Sequence, residues 1–536
     1  MNIKLENLIQ KIVKELFFLE IPLEWQLPKE EKFGDISTNI ALKISSLKKL
    51  EPYKVADLMI ERLNKEIQRS LLKEDIQQIR NDSGFINFFF TPQYYYKKLR
   101  DILIYKDKFM RFKIKPKKVL IEFVSANPTG PLSVAHARQA VVGDVLANVL
   151  EDLGFKVKRE YYINDEGARI DALGRSVEAR FKGLEGKEEF PADGYLGEYI
   201  YDIAKEMKER KIQNNFANYA VRYLLKDIKN DLKNFGVRFD SWVSQKVLTK
   251  KRCIQKLISY FTKKGLIYEK EGAIWFKSTA FSDDKDRVII KKDGSYTYLT
   301  ADIIYHHYKY KRGFGWLINL WGPDHHGYIG RLKAAVEAMG KKAESLSIVI
   351  VQLVTLYKEG KVLPMSTRKA QYITLKEVLE EVGKDASRFF FIMRRTNSHL
   401  DFDLDLAKAK VNQNPVYYIQ YAYARICGIL RKTDIKIKPS KLKYSLLKEK
   451  EELELIKVLV EFPYQEFFVF KNLDPYNLTV YLQRLASAFH KFYDTQRVLN
   501  NIDKELSSCR IALVEATRII LDKGLRLLGI SRPQSM

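Results

Sequence analysis

The chain is poor in cysteine, in acidic residues and in long apolar runs, and each shortage excludes something. Its three cysteines, Cys253, Cys427 and Cys509, are far apart in the 536 residues and form no CxxC pair. That excludes a disulfide framework and a cysteine zinc site, and points to a reducing compartment. No apolar run of about 18 residues occurs, so no transmembrane span is expected. The start, MNIKLENLIQKIVKELFF, reads as an amphipathic helix and not an export signal. Cytoplasm is the expected location. Acids are outnumbered: 67 Asp and Glu face 93 Lys and Arg, a formal charge of +26. A partner of opposite charge is implied, nucleic acid before an anionic membrane. The length is ample for a large core in two or three domains.

The most informative stretch is 119–167, VLIEFVSANPTGPLSVAHARQAVVGDVLANVLEDLGFKVKREYYINDEG. Residues 119–124 read as a strand, and Asn127-Pro128-Thr129-Gly130-Pro131 as a loop. From Ala137, Val141, Val142, Val145, Leu146, Val149, Leu150 and Leu153 recur at helical spacing, and Gly154 stands where the helix should stop. A second strand follows at 157–163. In such a βαβ unit the loop and helix start lie at the carboxyl end of the first strand, where backbone N–H groups favour phosphate. Asn127, Thr129, Ser133, His136, Asn164 and Asp165 gather polar chemistry at that end.

SANPTGPLSVAHARQAVVGD resembles the nucleotide-binding segment of class I aminoacyl-tRNA synthetases, and specifically that of the arginyl-tRNA synthetase family. That family's loop ends in His-x-Gly-His. Here Ser133-Val134-Ala135-His136 keeps only the second histidine, and Ala135 allows less close approach than glycine. A second departure lies at Pro364-Met365-Ser366-Thr367-Arg368-Lys369, where the family's Lys-Met-Ser-Lys-Ser loop has lost both lysines to Pro364 and Thr367. Arg368, Lys369 and Lys361 are the alternatives for the missing charge.

The resemblance extends over the whole chain. It implies a Rossmann-type parallel sheet (α/β) with a helical insertion, a small α+β N-terminal domain and an all-α C-terminal bundle. The expected boundaries are 1–110, 111–405 with the insertion at about 171–285, and 406–536. RFKIKPKKVL is the first connector. In residues 1–110, helical patterns at 3–19 and 53–72 flank a segment where Ser37-Thr38-Asn39 reads as a loop entering a helix. Strands are expected at 76–79 and 85–90.

The activity implied is arginine–tRNA ligation: ATP with Mg²⁺ activates L-arginine, and tRNA(Arg) receives it. By carry-over, Glu122, Ser125, Asn127, Tyr298, Asp302 and Asp324 hold arginine. Pro131, Ser133, His136, Gly322, His326, Met365 and Ser366 hold ATP. Ser133, His136, Arg368 and Lys369 act in catalysis. Asp82, Phe85 and Asn87 contact the tRNA D-loop, and Tyr418, Tyr421 and Arg425 the anticodon. The chemistry of these residue types agrees. Tyr298 and Asp302, four apart on a helix start, share a face, and a ring with a carboxylate suits a guanidinium. Aromatics suit unstacked bases. Bland readings stand beside these: Phe85, Tyr418 and Tyr421 fit a core equally well. Adjacent His325 and His326 lack a third ligand at regular spacing, so no structural zinc or other protein-bound metal is expected. Asp401, Asp403 and Asp405 alternate as in an extended connector, without the glycine and glutamate spacing of a calcium loop. Glu359-Gly360 reads as a turn, and Thr374 with Glu377 as a capping box before a helix ending near Gly383. A monomer is expected. Two other readings remain: a different class I ligase such as the cysteinyl enzyme, whose zinc-binding set is absent here, and a non-catalytic tRNA-binding paralogue.

Overall fold

The computed structural model describes residues 3–28, 30–109, 114–184, 190–281, 283–363, 372–499 and 502–536. Five parallel strands make the central sheet, in the order Leu346–Ile350, Trp316–Trp321, Lys118–Glu122, Lys156–Ile163, Ser241–Ser244. Chain order reverses at Lys118–Glu122, the first strand of the sheet, which the next two strands flank on one side and the last two on the other. Such a switch point opens a crevice at the carboxyl ends of the strands.

The helix after the first strand, Val134–Asp152, is apolar on nearly every face, and Val141, Val142, Val145, Leu146, Val149 and Leu150 are all buried. Each such side chain contributes roughly 1.5–3 kcal/mol of burial free energy. The helix stops as its sequence dictates: Gly154 takes φ +94°, and the Phe155 N–H returns to the Leu150 carbonyl at 2.9 Å. Its middle rests on the first strand's end through Gly143, where an added Cβ would lie 2.3 Å from Phe123 Cγ.

The stretch expected as a helical insertion is helical only at first, over Ala168–Gly183, Glu198–Glu209 and Phe216–Asn234. Ser241–Ser244 then rejoins the central sheet. After the helix Lys251–Lys263, a separate antiparallel sheet forms from Ile267–Lys270, Ala273–Phe276 and Arg287–Ile290. The helices keep a core of their own, with Leu173, Val177, Ile200, Ile203 and Leu224 buried together.

The N-terminal unit is a four-stranded antiparallel sheet backed by the helices Ile3–Phe17 and Pro52–Gln68. Ser37 and Thr38, read from sequence as loop, belong to the strand Ile36–Thr38, paired with Phe85–Phe90. A strand of three residues is too short to show alternation. Beyond the sheet, Glu359 (φ +50°) and Gly360 (φ +70°) turn one hairpin. The Thr374–Glu377 capping box forms, with the Thr374 N–H 2.7 Å from Glu377 Oε2. The helix it starts breaks at Gly383 (φ +77°) and resumes at once to Ile392. Asp401 and Asp403 lie on the strand Leu400–Asp403, while Asp405 falls in the short helix Leu404–Lys408. The rest is mainly helical from Pro415 to Leu528, with a longer connection between Arg431 and Lys450 that carries two single turns.

Gly143→Ala should lower the thermal unfolding midpoint, because the new methyl must displace Phe123. Overpacking of this kind costs about 1–3 kcal/mol, and calorimetry of the variant against the parent protein measures it.

Candidate functional site

The first strand ends in a strained hook. Val124 (φ +67°) and Ser125 (φ +41°) both lie in the left-handed region, rare for any side chain and most costly for a β-branched one. Such residues cost on the order of 1–3 kcal/mol each and persist only where surroundings over-determine them. Here Ser125 Oγ donates to Glu122 Oε1 at 3.0 Å and accepts the Tyr162 N–H at 3.1 Å, and the Tyr161 hydroxyl holds the Ala126 carbonyl at 2.9 Å. The hook thereby presents Glu122 and half-buried Asn127 at the crevice.

Ser133 caps the helix Val134–Asp152, and His136 folds back onto it. His136 Nδ1 accepts the Ser133 N–H at 3.2 Å and lies 3.0 Å from Ser133 Oγ. Burial lowers the imidazole to about 4, so at neutral pH the ring is uncharged. With Nδ1 accepting, the proton sits on Nε2 and is available to donate. The site's own geometry therefore gives an anion a neutral hydrogen bond and the helix N-terminus, not an imidazolium.

Two tyrosines that the sequence reading missed clasp the preceding loop. Tyr199, from the insertion, donates to the Thr129 carbonyl at 2.7 Å, and Tyr372 donates to the Pro131 carbonyl at 3.2 Å. Gly130 lies between them, and a Cβ there would sit 3.1 Å from both hydroxyls. A bridge pairs Ser133 with Thr374, and the Leu375 N–H reaches the Leu132 carbonyl at 2.7 Å. The chain leaving residue 371 thus docks beside the helix cap. Pro364, Met365, Ser366, Thr367, Arg368 and Lys369 lie outside the described residues. Lys361 is exposed on the hairpin strand Lys361–Val362.

Across the crevice the helix Tyr298–Lys311 supplies Asp302. Its carboxyl is raised to about 7, first by burial and then by the charge of Glu122, against the opposing influence of the Tyr328 hydroxyl and Lys309. Among the described residues it has no ion-pair partner. Tyr298 shares its face of the helix but is 75% exposed, at the rim. Glu122 is already paired: Lys309 Nζ lies 2.5 Å from its Oε2. Neither Lys309 nor its companions Asn319, His306 and Tyr328 were singled out from sequence, since Glu122 and Lys309 are 187 residues apart.

The turn Pro323–Tyr328 borders this region. Gly322 is held small by Asp324, whose Oδ1 would lie 2.6 Å from a Cβ. The Asp324 side chain is 77% exposed, with His325 Nε2 3.4 Å from its carboxylate; His326 is exposed too. Among the described residues no group of three or more His, Cys, Asp or Glu is arranged to hold a metal ion.

Away from the crevice, the three C-terminal residues picked from sequence do meet. The Arg425 guanidinium lies 4.7 Å from the Tyr421 ring centre and 5.1 Å from that of Tyr493, and donates to the Tyr421 hydroxyl at 2.7 Å. Tyr418 joins through His490, 4.7 Å between rings. In the N-terminal sheet Asp82 is exposed and Phe85 half-buried, but Asn87 is only 4% exposed, in mid-strand between its neighbours Ser37 and Arg80. The sheet gives Asn87 no open face.

A parallel sheet split at its switch point, an anion-favouring helix start on one side and a carboxyl recess on the other describe a nucleotide-dependent catalytic domain of the class I synthetase type. Residues 98–403 match the family "tRNA synthetases class I (R), catalytic domain". Residues 4–90 match "Arginyl tRNA synthetase N terminal domain", and 419–536 "DALR anticodon binding domain". The chain is 43% identical over 526 residues to the arginine–tRNA ligase of Bacillus subtilis, covering 95% of this chain and 94% of that one. It is 42% identical over 534 residues to that of Carboxydothermus hydrogenoformans, covering 96% and 95%. A Campylobacter jejuni structure titled as a putative arginyl-tRNA synthetase superposes with TM-score 0.76 at 34% identity, over 83% of this chain and all of that one. The Thermus thermophilus arginyl-tRNA synthetase shares the fold over the full length of both chains, TM-score 0.81 at 20% identity. The chain belongs to the arginyl-tRNA synthetase family.

His136 should stay neutral, as its Nε2–H tautomer, across pH 5–8. Histidine ¹⁵N shifts followed through a titration should include an Nε2–H ring without a protonation step in that range, and His136→Ala should remove that signal.

Proposed function

We propose that the protein is an arginine–tRNA ligase: it activates L-arginine with ATP to the arginyl-adenylate and passes the arginyl group to the terminal ribose of tRNA(Arg). The observation that carries the reading is Asp302. It is a carboxyl that forms no ion pair among the described residues, next to a second carboxylate and across from an anion-favouring helix start, in a chain of which 95% matches a relative of this family.

In this reading the arginine guanidinium enters the recess and lies against Asp302, with the exposed Tyr298 ring closing over it and Asn127 and Ser125 orienting the amino acid. Burial makes the match selective, since a neutral side chain would leave the carboxylate unpaired. Asp324, on the rim, reaches arginine only by turning inward from His325. ATP lies along the loop 127–131 and the start of the helix Val134–Asp152. His136 Nε2–H and the N-terminal amides donate to its phosphate oxygens, Ser133 keeps the imidazole oriented, and Gly322 and His326 border the nucleoside. The arginine carboxylate, ionised at pH 7, attacks the α-phosphorus and pyrophosphate leaves. No strong base is required, so the protein's part is positioning and charge stabilisation. Mg²⁺ belongs to this scheme as the counter-ion that ATP carries. Met365, Ser366, Arg368 and Lys369 are proposed for the triphosphate from the family pattern; Tyr372, which follows them, reaches the Pro131 carbonyl beside the helix cap. The Tyr418, Tyr421 and Arg425 cluster suits stacking on unpaired anticodon bases. Phe85 and Asp82 suit a loop of the same tRNA, with Asn87 supporting the strand beneath. No helix of the described residues is long and apolar enough to cross a membrane.

Charging of total tRNA with labelled arginine, ATP and Mg²⁺ tests the reading, run beside His136→Ala and Asp302→Ala. Arginine-specific charging that both variants lose supports it. Tight tRNA binding without charging overturns it in favour of the non-catalytic paralogue, which the replacements at Ser133, Pro364 and Thr367 allow.

The raised carboxyl makes a second expectation. Below about pH 7 Asp302 is protonated, and a guanidinium must expel that proton to bind. Arginine affinity should therefore be flat above pH 7 and fall by about tenfold per unit below it. Calorimetric titration with L-arginine from pH 5.5 to 8.5 measures the slope, and Asp302→Asn should bind weakly with no slope.

A further inference from the structure

A recess with two carboxylates carries one negative charge too many for a single guanidinium. Lys309 removes the excess. It is fully buried, and its ammonium is held on three sides: Glu122 Oε2 at 2.5 Å, Asn319 Oδ1 at 3.1 Å and the Tyr305 ring centre at 4.0 Å. Asn319 is the register partner of Glu122 on the adjacent parallel strand, so both ligands come from the sheet and the lysine from the helix above it. The network continues. Asn319 Nδ2 donates to His306 Nε2 at 2.9 Å, and His306 Nδ1 donates to the Asp302 carbonyl at 2.8 Å. Burial and Lys309 keep His306 neutral, which is the only state that satisfies both of its bonds. The bonds thus run from Glu122 to the backbone of Asp302, each donor meeting an acceptor.

We infer that Lys309 is a positioning residue for arginine selection: it fixes and neutralises Glu122, leaving the recess one uncompensated negative charge, at Asp302, matched to one guanidinium. The inference rests on the arginine reading of this recess. The groups facing Asp302 are Glu122 from the first strand, Tyr162 from the second, Tyr328 from the segment after the fourth, and Lys309 from its own helix; Arg331 packs on the Tyr328 ring at 4.9 Å. Only Glu122 and Lys309 among them set the charge balance directly. Glu122 meets the substrate chiefly through Oε1, on the side where Ser125 holds it.

The test is a charge-balance cycle in the full-length protein: Glu122→Gln, Lys309→Met and the double variant, each titrated calorimetrically with L-arginine at pH 8, with ATP binding measured in parallel. Glu122→Gln leaves Lys309 opposite Asp302, a recess of zero net charge, and should weaken arginine at least tenfold. Adding Lys309→Met restores one negative charge and should recover a large part of that loss, although another native side chain has been removed. A buried pair replaced by neutral groups of similar shape keeps the fold more readily than either half alone, so the double variant against Glu122→Gln decides the matter even if Lys309→Met does not fold. Recovery specific to arginine, with ATP affinity unmoved, supports the inference. A double variant no better than Glu122→Gln, or losses shared equally by ATP, overturns it. Parent protein that binds no arginine overturns the reading of the recess itself.

Discussion

The fold turns on three buried arginines that converge on one helix. Arg138, Arg159 and Arg388 are fully buried, in a chain with ample surface for its cations. Each fastens the helix Val134–Asp152 to something different. Arg138, in its second turn, donates to the carbonyls of Gln352, Leu353, Phe391, Arg395 and Ser398. Burial lowers that guanidinium to about 10, so it is still charged at neutral pH. Arg159 reaches from the next strand to Glu151 and Asn148, at 2.6 and 2.7 Å. Arg388 joins Asp144 at 2.5 Å to the carbonyls of Leu528 and Phe235. Removing one partner of such a buried pair leaves a charge uncompensated, at about 3–5 kcal/mol. Exposed pairs on this molecule, such as Lys65 with Glu61, are screened by water and hold far less.

That fastening explains how the strained hook at Val124–Ser125 persists. Phe123 is buried and packs against Gly143 on the helix the arginines immobilise, so the chain after Glu122 cannot relax away from it. The strain points Glu122 and Asn127 into the crevice, and the same helix puts His136 at its opposite lip. Acid and anion-binding poles are therefore set by one rigid contact, the close approach of helix to strand at a glycine.

What the sequence made legible was local. Gly154, Thr374 with Glu377 and Glu359-Gly360 act through φ preferences and bonds to near neighbours, so spacing alone revealed them. The fit of Tyr298 and Asp302 to one helix face was legible for the same reason. The strand Ser241–Ser244 was not: it is four residues long and pairs in parallel with a strand it reaches only after three helices. Nor were Lys309, Tyr199 and Tyr372, whose partners lie 187, 70 and 241 residues away. A buried lysine on an otherwise ordinary helix looks like a solvated one until its carboxylate is seen. Asn87 was placed by the family pattern in a contact role, and its burial in mid-strand could not be read from the sequence.

The far end of the same helix carries the argument to the C-terminal bundle. Asp152, in its last turn, shares Lys523 with Glu466, at 2.8 and 2.9 Å, and Lys523 and Glu466 lie on two different helices of the bundle. Glu466 is raised to about 7 by burial, so the triad holds one firm ion pair and a second carboxyl near its titration point. Low dielectric makes that pair strong and its loss costly. A shift of the bundle, where Tyr421 and Arg425 lie, must therefore break the triad or be borne by Val134–Asp152, whose first turn holds His136. The bundle and the helix are thus tied at Lys523 and again at Arg388, which bridges Asp144 and the Leu528 carbonyl.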